Sequence, residues 1–289
     1  LAAVSQPSAL SKAVSLGFTS IPVSTEDTVR VPEGYIARPF YRWGDATGIK
    51  GAMPEFKFDA SNTTDEQAAQ AGMHHDGMAW FSLPQGEENP SHGLLAMNHE
   101  YIDNGMLFTD GTASWSLDKA RKGQNAMGVS VIEVKKSGSD WEVVRPSGFA
   151  RRITVNTPMQ LTGPARQQTL MKTAADPQGE QVFGTMQNCA NGYTPWGTYL
   201  TCEENWSDIF VKKGERNALE KRYGISDSDE SYRWSEVDDR FNVDKTPNEP
   251  NRFGWVVEID PYNPNSTPRK HTALGRFKHE GAAVTLAAD

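Results

Sequence analysis

The chain has 289 residues, enough for one large domain or two ordinary ones, and 37% of them are hydrophobic, so a sizeable buried core is available. A net charge of -8 and the lack of any Lys/Arg run argue against a nucleic-acid partner. No stretch approaches the roughly 18 consecutive apolar residues that cross a bilayer as a helix, which excludes membrane insertion of that kind.

In chain order, residues 1–30 read as an extended arm. Within it, Leu1 to Ser24 is rich in Ala and Ser but has neither a basic start nor a continuous apolar run. It is therefore no intact signal peptide, although export remains compatible with it. Val31-Pro32-Glu33-Gly34-Tyr35 has the punctuation of a turn, and the folded body is expected to begin there. From about Trp80 a β grammar recurs in which a short apolar strand is followed by a Gly or Asn turn and another strand. The expected strands are Gly93 to Tyr101, Gly128 to Val134 with its return Trp141 to Arg145 across Ser137-Gly138-Ser139, Gly197 to Cys202, and Gly254 to Asp260. Two stretches break this rhythm and read as insertions. Residues 156–184 hold a predicted short helix near Arg166 to Thr173. Residues 205–251 are highly charged, with a helical stretch near Glu215 to Arg222. A further strand is expected over Gly275 to Thr285. The fold class that results is all-β. The spacing of the units fits the blades of a β-propeller over residues 31–289, without a strict repeat. A propeller closes its last blade on its first, so the chain is expected to be the N-terminal part of a longer one.

Four clusters put acids, His, Asn and Cys at strand ends or beside turns: His74 to Met78, Asn98 to Tyr101, Asn188 to Gly192 running into Thr201 to Asn205, and His279 to Gly281. Oxygen-rich groups with an occasional thiolate suit hard cations such as calcium or ferric iron better than zinc. Each cluster alone has a plainer reading. Glu203-Glu204 would ordinarily be a solvated pair, and His99 a hydrogen-bonded structural histidine. His74 and His75 are adjacent on a strand and cannot both face one ion. Cys189 and Cys202 lie thirteen residues apart. They read as a disulfide in an exported protein, as a metal ligand beside a packed thiol, or as two inert thiols.

Taken together the clusters resemble a known family. Asn188 to Thr194 followed by Pro195 to Asn205 looks like the central signature of the PhoX alkaline phosphatases. Met97 to Tyr101, His75 to Met78 and Phe277 to Ala282 match three further motifs of that family. The resemblance implies a six-bladed β-propeller, bacterial export by the twin-arginine route to the periplasm or beyond, and a cluster of calcium and ferric iron. It implies Cys189 as the thiolate on iron and Glu280 as a carboxylate ligand. Glu100, Glu203 and Glu204 would be further ligands, and Cys202, Asn98 and Asp76 additional candidates. The expected nucleophile is an oxo or hydroxo group bridging the metals, so no catalytic side chain is sought. The partners implied are small phosphate monoesters, with diesters as an extension, and a monomeric state. The family's later ligands lie beyond the end of this sequence, so these residues alone would not complete the cluster. Two other classes compete: a calcium-dependent propeller hydrolase of the lactonase or phytase type, and a non-catalytic secreted module with structural calcium. A thiolate at Cys189 separates them, because a calcium-only site has no use for sulfur.

Overall fold

The computed structural model describes residues 17–229 and 231–287. The chain divides into two units, Leu1–Phe40 and Tyr41–Asp289. In the first unit, residues 17–40 carry no helix or strand, and the rings of Phe18 and Tyr35 meet edge to face. The part of the expected arm that covers residues 1–16 lies outside the described residues.

The second unit is mostly β. Its first sheet comprises β1 (His75–Ser82), β2 (His92–His99), β3 (Gly128–Ser137), β4 (Asp140–Val143) and β5 (Arg151–Ile153). Strands β1 to β4 follow one another as an antiparallel meander, and β5 pairs with the start of β3. Apolar side chains bury the central strands, with Leu94, Ala96 and Met97 on β2 and Val129, Val131 and Ile132 on β3. Gly138, at φ +62°, supplies the left-handed residue that the β3–β4 turn needs.

The second sheet comprises β6 (Pro158–Thr162), β7 (Gln181–Phe183), β8 (Asn188–Tyr193), β9 (Tyr199–Glu203), β10 (Val256–Ile259) and β11 (Arg269–His271). Its spatial order is β7-β6-β11-β10-β9-β8. Strands β8 to β11 form a second antiparallel meander, and β6 joins β11 in parallel. Leu94 and Val131 of the first sheet share one buried cluster with Leu161, Tyr199 and Val257 of the second.

Among the described residues four short helices accompany the strands: α1 (Thr64–Ala68), α2 (Asn104–Leu107), α3 (Leu117–Ala126) and α4 (Ala218–Tyr223). Ser116 caps α3 by accepting from the Lys119 N–H. The charged stretch between β9 and β10 contains α4 where a helix is expected. Its aromatic residues join the main buried cluster, where Phe210 lies 5.6 Å from both Phe241 and Phe253.

Two expectations change. The helix expected near Arg166 to Thr173 shrinks to a single 3-10 turn, Thr169–Met171, because Gln167 at φ +69° breaks the helical run, and residues 156–184 also contribute β6 and β7. Gly275 to Thr285 forms no strand. Phe277 N–H reaches Gly254 O, just before β10, and His279 N–H reaches Glu203 O, at the end of β9, single bonds that start no ladder.

Candidate metal centre

Three side chains converge where the ladders become irregular. The β1–β2 register shifts between His75 and Met78, and Asp76 lies in that shift. The β8–β9 register shifts between Asn188 and Asn191, which takes in Cys189. Glu100 is the first residue beyond β2, held by its N–H on His74 O at 2.9 Å. Bulges and strand ends re-aim side chains out of the pleat, which is how neighbouring strands can present ligands to one point. Gly77 makes the approach of β1 to β8 possible: a Cβ there would lie 2.8 Å from the Ala190 carbonyl carbon and the Asn191 nitrogen. As a result, one ligand atom from each of Asp76, Glu100 and Cys189 lies within 4.8 Å of the others. The Cys189 thiol points at Asp76 Oδ2, 3.9 Å away.

The electrostatics are those of crowded acids. Burial, then the charge of Asp76 and a hydrogen bond to it, and finally Glu204, raise the Glu100 carboxyl to about 7. Burial and then Asp76 push the Cys189 thiol up to about 12, with Glu204 and Glu100 adding to the shift. Asp76 opposes the ionisation of both Glu100 and Cys189, and a bound cation reverses that sign. The donors fit such a cation. Two carboxylates and one thiol, all only partly buried, suit ferric iron. Calcium would take the carboxylate oxygens and leave the sulfur.

The remaining expected ligands are placed differently. Glu204 is felt electrostatically by both Glu100 and Cys189, and its Oε2 accepts from Asn205 Nδ2. Glu203 is engaged elsewhere, which corrects its expected role. Its Oε1 accepts from Lys270 Nζ at 2.6 Å, its Oε2 accepts from the N–H groups of Gly254 and Trp255, and both members of the ion pair are fully buried. The alternation of a strand accounts for the difference, since adjacent residues face opposite sides. Cys202 is buried among Leu200, Val256 and Ala282, and it feels the Cys189 thiol electrostatically. Both cysteines are free, so the disulfide reading falls. Asn98 has its amide occupied by hydrogen bonds to four groups. Glu280 is exposed and outside the three-residue group, although a Cβ on the next residue, Gly281, would lie 3.6 Å from Ala190 Cβ. His74 stacks on Tyr101, and His75 packs between Tyr41 and His99, so neither joins the group. Lys270 and Tyr199 escaped the sequence reading: Lys270 sits on a three-residue strand, and Tyr199 reads as one more apolar strand residue.

A family model described as alkaline phosphatase PhoX matches residues 16–289. Among solved structures the chain is similar to Pseudomonas fluorescens PhoX in complex with vanadate, a transition state analogue. The identity is 46% and the TM-score 0.88, over 93% of this chain and 46% of that one. No curated protein matches. The chain belongs to the PhoX alkaline phosphatase family and spans about half the length of that solved relative.

Proposed function

We propose that this chain forms part of an exported, metal-dependent alkaline phosphatase that hydrolyses phosphate monoesters, and diesters as an extension, with calcium and ferric iron as its metals. The observation that carries this reading is the convergence of Asp76, Glu100 and Cys189 from two sheets in a protein whose solved relative binds vanadate. In it, Cys189 holds iron, Asp76 and Glu100 hold iron or bridge to calcium, and Glu204 adds charge beside them. Glu280 stays a candidate ligand through its place next to the Cys189 turn. Cations bound there would attract the phosphate dianion and neutralise the charge that develops on its oxygens. The chain's own acids would otherwise repel that dianion. The two meanders are blades of the family's propeller in this reading, and the chain works outside the cytoplasm.

The test is turnover of p-nitrophenyl phosphate at alkaline pH after loading with iron and calcium, together with metal analysis. Cys189→Ala, Asp76→Asn and Glu100→Gln should each lower turnover by at least the roughly 10–100-fold that outer-shell partners of a metal cost. Calcium without iron, together with activity that survives Cys189→Ala, would favour a calcium-only hydrolase instead.

A further inference from the structure

We infer that Tyr199, Thr201 and Asn98 are positioning residues, a hydrogen-bonded hub that sets the spacing of Asp76, Glu100 and Cys189 across the two sheets. The inference rests on reading those three residues as a metal centre. Asn98 Nδ2 donates to the carbonyls of Cys189 and, at 3.3 Å, Ala190. Its Oδ1 faces Tyr199 OH at 2.9 Å and Thr201 Oγ1 at 2.8 Å. An asparagine amide has two donor hydrogens and two acceptor lone pairs, and here each of the four has a partner. Tyr199 OH also lies 2.7 Å from Gly77 O, so its single proton is shared between two acceptors. Asn98, Tyr199 and Thr201 are fully buried.

Each candidate ligand is a step or two along the chain from this hub. Gly77 follows Asp76, Asn98 stands two residues before Glu100, and Cys189 is bound through its own carbonyl. Asp76 and Cys189 belong to different strands and Glu100 follows a third, and backbone pairing does not fix β1 against β8, since these strands belong to separate sheets. The hub bridges that gap: β2 binds β8 through Asn98, and β9 binds β1 through Tyr199. Buried polar groups that lose a partner cost free energy, so the hub favours one arrangement of the sheets over slightly shifted ones. Partners of this kind commonly govern metal affinity by about 10–100-fold without touching the ion.

The experiment is a titration of the 289-residue chain with cobalt(II) alone, following the near-ultraviolet sulfur-to-cobalt absorption that reports Cys189. The wild type should develop the band and Cys189→Ala should not. Tyr199→Phe, which keeps the ring and removes only the hydroxyl, should need about 10–100-fold more cobalt to reach half of the band. Its near-ultraviolet circular dichroism in the absence of metal should match the wild type. Thr201→Val should weaken binding in the same direction and Thr201→Ser should not, because serine retains the donor. A Tyr199→Phe titration identical to the wild type would overturn the inference while leaving the metal centre intact. Equal weakening by Thr201→Ser and Thr201→Val would also overturn it, by showing that packing rather than hydrogen bonding matters. A wild type with no band, or a band that survives Cys189→Ala, would overturn the metal centre and the inference with it. If Tyr199→Phe does not fold, the Thr201 pair decides alone.

Discussion

Glu100, raised to about 7, keeps its proton in the folded, metal-free chain over a pH range in which the unfolded chain, at the ordinary 4.5, has already lost it. Between these two values the native state binds more protons, so this carboxyl makes stability fall as pH rises from about 4.5 toward 7. Thermal unfolding of chelator-treated protein across that range should show the slope, and Glu100→Gln should remove it. A slope unchanged in Glu100→Gln would assign the effect to another group. Lys270 and Glu203 permit a second prediction at this scale. Lys270→Met strands a carboxylate in the core, and loss of one partner of a buried pair costs about 3–5 kcal/mol, measurable by urea unfolding. Glu203→Gln should leave cobalt binding unchanged, because Glu203 faces Lys270 and not the ligands. Among the residues singled out in the sequence, Asp76, Glu100 and Cys189 proved to be neighbours. Glu203 did not, because which face of β9 it occupies depends on pairing with β8 and β10, and local composition carries no record of that register.

At the scale of elements, the close approach of β1 to β8 is the feature that makes a site from two sheets. Gly77→Ala would push a methyl group against the backbone of β8, and overpacking of this kind costs about 1–3 kcal/mol. The expected result is a lower unfolding midpoint together with weaker metal binding, because the sheets must part to admit the methyl group. A loss of stability with unaltered binding would mean that the ligands are not held by this contact. Strands β2, β3, β4, β9 and β10 were legible because apolar runs bounded by Gly, Ser and Asn leave few alternatives. Helix α3 was not, since it buries Lys122, Gln124 and Asn125 and so shows no apolar stripe, although Ser116 was there as a cap. Residues 275–287 have strand-like composition but form no ladder with the strands they run beside.

For the whole molecule, a mostly β fold followed from the density of turns, whereas the joining of β6 to β11 in parallel is a long-range pairing that no local pattern announces. The central claim is that two sheets bring Asp76, Glu100 and Cys189 together around iron. Its most direct test is iron K-edge X-ray absorption on the iron-loaded chain and on Cys189→Ser. The account predicts a sulfur scatterer in the first coordination shell of the wild type, replaced by oxygen in the variant. An all-oxygen shell in the wild type, or a sulfur that persists in Cys189→Ser, would contradict it.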